Sequence, residues 1–183
     1  MVGYAATGRI RTAEAPIARN CYYDRMEWWE YLATLPVPRV IVFQDMDPKP
    51  GLGALFGAMH AHISRALQCT GYVTNGSVRD LPDIEQTGFH LFARGIGVSH
   101  AYAHVVDFGG PVEIGALRVN PGDLLHGDMH GVVSIPVDIA HQIPKVAADL
   151  QAEEAELIRL CESKEFTLGK LRSHIERTRH EIK

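Results

Sequence analysis

The chain has 183 residues, 22% of them charged, with a net charge of −4 and a pI near 6.2. That length suits one domain with its own core, and the acidic balance argues against a non-specific nucleic-acid binder, which needs a basic face. Three cysteines (Cys21, Cys69 and Cys161) stand far apart with no CxxC pair, so neither a disulfide framework nor a zinc knuckle is expected.

Residues 2–12 alternate like a strand. Residues 24–34, DRMEWWEYLAT, read as an amphipathic helix with Trp28 and Trp29 in the core. Arg39 to Gln44, RVIVFQ, is a β-branched strand ending at Asp45 and Asp47. The Pro/Gly loop DPKPGLG leads into a helix expected from about Ala54 to Leu67. Tyr72 to Thr74 is the next strand. A short helix near Pro82–Thr87 and a strand near His90–Ala93 follow. Val98 to Leu125 is β-rich, with a turn at Gly109-Gly110, and Gly131 to Pro136 is a further strand. From Asp138 the chain reads as helical, with an apolar stripe through Ile139, Ile143, Val146, Ala147, Leu150, Leu157 and Leu160. The pattern predicts an α/β domain with a mixed sheet covered by helices over residues 1–150, and a charged helical extension over 151–183. The start MVGYAATGRIRTAE has no apolar leader segment, and no apolar run reaches bilayer length. A cytoplasmic protein with no membrane partner is expected.

The most chemical stretch is Val73 to Ile84, VTNGSVRDLPDI. A strand runs into Asn75-Gly76, and Arg79 and Asp80 then stand side by side before a helix start. Two readings are open. Asp80 with Asp83 three residues on, and Pro82 between, resembles an N-cap with an acidic first turn. Alternatively, guanidinium, carboxylate and helix N-terminus form a site for a metal and an anionic substrate. Gly51, Gly53 and Gly57 make a GxGxxxG spacing, which is neither a dinucleotide fingerprint nor a P-loop. It serves either as a tight turn with close helix packing or as an amide cradle for a small carboxylate. Both stretches follow buried strands, so both can face one pocket at the carboxyl edge of the sheet.

Histidines form another group: His60 and His62 on one helix, His100 and His104 in SHAYAHVVDF, and His126 and His130 around Asp128. Most read as surface or hydrogen-bonded residues, with a His/Asp transition-metal site as the minority alternative. No GxSxG elbow, paired thiol nucleophile or glycosidase carboxylate pair stands out.

The string GYVTNGSVRDLPDIEQTGFHLFARG, continued by PVEIGALRVNPGDLLHGDMHGVVSIP, resembles the RraA-like family over roughly Val2 to Val146. That family holds regulators of ribonuclease activity and divalent-metal-dependent 4-hydroxy-4-methyl-2-oxoglutarate aldolases. The resemblance implies a swivelling β/β/α fold assembled as a homotrimer or hexamer. It also implies a Mg²⁺- or Mn²⁺-dependent lyase (aldolase or decarboxylase) that releases pyruvate from a small 2-keto acid. The alternative is a non-catalytic, protein-binding regulator of ribonuclease activity. By motif, Arg79 contacts the keto acid and Asp80 is catalytic and holds the metal, with Asp83 a further metal candidate. Gly57, Ala58, Met59 and His60 would offer backbone amides to the substrate carboxylate. The family usually carries Asp or Glu where Ala58 stands, and a helical segment ahead of the first strand. A neighbouring subunit donates a glutamate in the aldolases, for which Glu153, Glu154 and Glu156 are candidates.

Overall fold

Val2–Arg11 (β1) is rich in small residues, and the strand sits centrally enough to be buried along most of its length. A computed structural model describes residues 1–17 and 26–178 of the chain. Cys21 and the first two residues of the expected helix at 24–34 lie outside the described residues; the rest of that helix is Met26–Thr34 (α1). Trp28 is buried as expected, whereas Trp29 is only half-buried. Arg39–Asp45 (β2) is covered on both faces, as an apolar β-branched run between parallel neighbours should be.

Ala58–Ala66 (α2) leads to Cys69–Thr74 (β3), and Leu81–Glu85 (α3) to His90–Phe92 (β5). The parallel strands β1, β2, β3 and β5 are thus joined through helices. Ser77–Val78 (β4) pairs with Gly95–Ile96 (β6) in a separate two-stranded ladder. His104–Phe108 (β7) runs antiparallel to the C-terminal half of β1. Val112–Ile114 (β8) and Leu117–Val119 (β9) form a hairpin. Leu124–Asp128 (β10) pairs antiparallel with β1 and with Gly131–Ile135 (β11). The main sheet therefore runs β11-β10-β1-β2-β3-β5, with β7 added on β1. The expected α/β fold with a mixed sheet is what forms.

Side chains alternate across the sheet. On one face Ile41, Phe43 and Tyr72 pack against Trp28, Leu32, Phe56 and Ile84 from the helical side. Phe56 stacks on Tyr72 at 4.1 Å between ring centroids. On the other face Val40, Val42 and Val73 meet Val112, Val119 and Leu125 from the hairpin and β10.

Two local expectations are corrected. The helix expected from Ala54 begins only at Ala58, because Phe56 is drawn into a bridge with Val78 and keeps the preceding segment extended. The β-rich stretch expected from Val98 forms no strand at His100: β7 starts at His104, and Ala101 adopts a left-handed φ of 47° that turns the chain between the two histidines.

Met1–Val137 forms one unit and Asp138–Lys183 a second. The second contains Ile143–Glu162 (α4) and Leu168–Thr178 (α5), tied by Arg177 Nη2 to Glu156 Oε2 at 3.1 Å. Neither helix has a buried residue. Among the described residues no helix is long and apolar enough to cross a membrane.

Candidate functional site

The chain leaves β3 through Asn75-Gly76, and the turn is held by side chains rather than by its own backbone alone. The Asp45 N–H donates to Asn75 Oδ1 at 2.7 Å, while Asn75 Nδ2 donates to the Asp45 carbonyl at 3.0 Å. This two-point clasp locks the end of β2 to the end of β3. Four residues later the Arg79 N–H donates to the Phe56 carbonyl at 3.1 Å. The VRD segment is thereby laid against the entry to α2.

Asp80 follows with φ 60° and ψ 37°, a left-handed conformation that Asp tolerates better than most residues. It stands at the N-cap position of α3 but makes no side-chain cap bond there. Its Oδ2 instead accepts the Ala58 N–H, at 3.0 Å, at the start of α2. The carboxylate thus satisfies one orphan amide of a different helix, 22 residues away. Of the two readings of Asp80, capping occurs, but on α2. Arg79 Nη1 lies 3.5 Å from the same Asp80 oxygen.

Gly57 explains how the pieces fit so closely. A Cβ there would lie 2.4 Å from Asp80 Oδ2 and 3.1 Å from Arg79 Cγ. The other two loop glycines answer to different neighbours. A Cβ on Gly51 would meet Ser77 Oγ at 2.8 Å, and one on Gly53 the His100 carbonyl at 2.6 Å. Gly51 and Gly53 thus shape the loop, and Gly57 admits the carboxylate.

The side chains of Arg79 and Asp80 remain 30% and 34% exposed. Asp80 Oδ1 accepts no hydrogen bond among the described residues. Arg79 Nε is buried and lacks a hydrogen-bond partner. A guanidinium with an unspent donor, beside a carboxylate with an unspent oxygen, is an arrangement that an oxo-acid and a cation would complete. The first ladder bond of α2 runs from the Ala61 N–H to the Gly57 carbonyl, so the Met59 N–H lies outside the ladder.

Gly57, Ala58, Arg79 and Asp80 are therefore brought together. Met59 is exposed at the same helix start. The His60 side chain is buried, with ring centroids 5.8 Å from Phe56 and 6.3 Å from Trp29. What His60 can offer the site is its backbone. Asp83 lies on the exposed first turn of α3 and shares no hydrogen bond or ion pair with Arg79 or Asp80.

The histidines are dispersed. His62 is exposed on α2, and His104 Nδ1 is 2.7 Å from the Tyr102 carbonyl. His130 pairs with Asp128 at 3.3 Å on an exposed turn. Among the described residues no three His, Cys, Asp or Glu side chains gather as a metal cluster.

One acidic cluster has a weight that the sequence reading missed. Asp47 Oδ2 accepts the Thr12 N–H at 2.7 Å, the Thr12 hydroxyl at 3.0 Å and the Ala13 N–H at 2.7 Å. Arg11 stands 3.7 Å from its other oxygen. Burial works against this carboxylate, but the hydrogen bonds and the Arg11 charge outweigh it, and its pKa falls below the ordinary value. Asp45 accepts the Asp47 and Gly51 N–H groups, yet its burial prevails and its pKa rises. The available signal was a pair of aspartates, Asp45 and Asp47, where the buried run VIVF ends.

Comparison with known proteins matches the Aldolase/RraA family model to residues 1–134. The chain is 26% identical over 102 residues to a Halalkalibacterium halodurans protein provisionally named 4-hydroxy-4-methyl-2-oxoglutarate aldolase; the match covers 55% of this chain and 49% of that one. It is 29% identical over 91 residues to protein DlpA of Legionella pneumophila, covering 49% of this chain and 15% of that one. The matched stretches span half or less of these relatives. An uncharacterised Pseudomonas syringae protein shares the fold at a TM-score of 0.70 and 23% identity, over 94% of this chain and 75% of that one. Streptomyces coelicolor RraAS2, described as an unusual member of the RNase ES inhibitor RraA family, shares it at 0.66 and 23%, over 87% and 77%.

Proposed function

Because the chain belongs to the RraA-like family, we propose that it is a divalent-metal-dependent lyase releasing pyruvate from a small 2-keto acid. One observation carries the reading: Asp80, Arg79 and the start of α2 converge through the Ala58 N–H bond at 3.0 Å and the Arg79 contact at 3.5 Å. The donor chemistry fits Mg²⁺ or Mn²⁺. A half-exposed carboxylate with an unspent oxygen suits a hard cation that takes most of its shell from water and substrate. Asp80 would hold the ion, with Asp83 as a further candidate. When bound, the ion supplies Lewis-acid stabilisation of charge on the keto oxygen.

Arg79 does the rest of the electrostatic work. Its unsatisfied Nε–H and half-exposed guanidinium hold the substrate carboxylate or carbonyl and offset the charge that develops during bond cleavage. The amides at the start of α2 orient the carboxylate. Ala58 then separates two reactions. Retro-aldol cleavage breaks a carbon–carbon bond only as a proton leaves the substrate hydroxyl, and an alanine side chain cannot accept it. Decarboxylation of a 3-carboxy-2-keto acid expels carbon dioxide and leaves the electron pair as the enolate, which later takes a proton. It needs no base for the cleavage step. Decarboxylation is therefore the better-supported branch.

The test is pyruvate release from oxaloacetate and from 4-hydroxy-4-methyl-2-oxoglutarate with Mg²⁺ or Mn²⁺, corrected for the rate without protein. Arg79→Ala should lower turnover about a hundredfold or more. Equal turnover in both proteins overturns the assignment. A homotrimer is part of the same reading and is checked by sedimentation.

A second reading rests on Ala58 as well. A chain lacking the acid at this position can serve as a non-catalytic regulator that binds a ribonuclease. That reading requires no metal-dependent turnover on either substrate, together with saturable binding to the ribonuclease.

A further inference from the structure

A separate cleft of about 420 Å³ opens on the opposite face of the sheet from α2. It lies between the two terminal strands of the main sheet, β5 and β11, and is closed on a third side by the β8–β9 hairpin. Its walls are apolar: Val73, Phe92, Ile114, Leu117 and Val132. Such a volume falls within the range of small-molecule sites, roughly 300–1,000 Å³. Neither Arg79 nor Asp80 lines it.

The polar groups of the lining divide sharply. The Thr74 hydroxyl accepts the Gly76 N–H at 3.0 Å. Both ends of the Asn75 amide are engaged with the Asp45 backbone. Arg94 differs. Its backbone is fixed by the Arg94 N–H bond to the Gly76 carbonyl at 3.0 Å, yet its guanidinium makes one contact, Nη1 to the Pro50 carbonyl at 3.5 Å. Arg9, Arg11, Arg79 and Arg177 each have a carboxylate partner, and Arg39 spends three donors on carbonyls; among the described residues Arg65, Arg118, Arg159 and Arg172 are as unengaged as Arg94, but none of them lines this cleft. Arg94 has no such engagement, so most of its five donors are unspent at the edge of an apolar cleft. Gly115 and Gly131 leave the rim clear, since a Cβ on either would meet nothing within 4 Å.

We propose that this cleft binds a small apolar monocarboxylate, its hydrocarbon body between β5, β11 and the hairpin and its carboxylate on Arg94. An aromatic or branched aliphatic acid has the matching chemistry: apolar area for the walls and a planar anion for the guanidinium fork. A dicarboxylate does not, because its second charge would face Val73 and Phe92 without a partner. The site is independent of the lyase reading.

Titrating 3-phenylpropanoate and its neutral amide into the full chain, followed by amide NMR, tests the proposal. The acid should bind about tenfold or more tighter than the amide, which is the expected contribution of a charge-assisted pair. Arg94→Gln should remove that difference while Arg79→Ala leaves it. The Gly115 and Gly131 signals should shift and the Gly57 signal should not. Equal affinity for acid and amide, an acid preference that survives Arg94→Gln, or no saturation at millimolar concentrations would each overturn the proposal.

Discussion

Two carboxylate sites follow neighbouring strands of one sheet and have opposite characters. At the end of β2, Asp47 is buried and Oδ2 alone accepts three hydrogen bonds between 2.7 and 3.0 Å. Beyond β3, Asp80 is half-exposed, and its Oδ2 accepts one hydrogen bond, at 3.0 Å. The arginines differ in the same way. Arg11 adds charge to a carboxylate whose Oδ2 already accepts three hydrogen bonds, whereas Arg79 keeps a buried Nε–H without a partner. The first cluster is a clasp joining β1, β2 and the glycine loop. The second has capacity left over for a ligand. Residue type alone distinguishes neither; the count of satisfied lone pairs and donors does.

The largest expected effect comes from closing the open site without touching a charge. Gly57 has φ −146°, which any residue can adopt, so Gly57→Ala acts through space alone. Its new Cβ must displace the Asp80 carboxylate, now only 2.4 Å from where that atom would sit. A displacement of this size should lower metal-dependent turnover about a hundredfold. The Tm should move far less than it does for the clasp variants below. Unchanged turnover would mean that the Asp80 position is irrelevant to the chemistry, and the contrast between the two sites would lose its functional meaning.

The clasp predicts the reverse pattern. Asp47→Asn should cost about 2 kcal/mol near neutral pH, because hydrogen bonds to a charged acceptor are lost, while turnover per folded molecule is kept. The pH dependence follows from the lowered native pKa of Asp47. Its stabilisation is present above the unfolded-state value and is lost as pH falls through the native one. In acid the variant and the parent should therefore converge. Asp45 has the opposite sign: burial raises its pKa, so its ionisation weakens the fold as pH rises through the native value. Asp45→Asn should cost less than Asp47→Asn. Urea denaturation near neutrality and in acid checks both, and a pH-independent Asp47→Asn deficit would sink the clasp account.

The parts of this picture legible from sequence are those set by local pattern. The strand pattern of β1 and the apolar β-branched run of β2 were readable because burial imposes them along the strand. The closeness of Gly57 to the VRD segment was anticipated from two helix starts after buried strands. The Asp80 contact was not, because local capping logic looks three residues ahead, and the bond formed is to a helix 22 residues back. Nor was the Asn75 clasp: Asn-Gly announces a bend, but the partner of its amide becomes known only once β2 and β3 are neighbours. The break between α4 and α5 at 163–167 was likewise hidden, since the apolar spacing before it gives no warning.

The smallest expected effect separates the two ends of α2. Its N-terminus meets the open site, and its C-terminus runs into Gln68 at φ 57°, a left-handed conformation with no compensating side-chain bond among the described residues. Helices commonly end on glycine in this conformation because a Cβ is penalised there. Gln68→Gly should thus stabilise the protein by about 0.5–1 kcal/mol, the relief of strain less the added freedom of the unfolded chain. If the open site depends only on Gly57, Arg79 and Asp80, turnover with Mg²⁺ or Mn²⁺ should stay at the parental value. A gain in stability accompanied by a fall in turnover would show that the two ends of α2 are mechanically coupled, and that strain at Gln68 helps place the Ala58 N–H against Asp80.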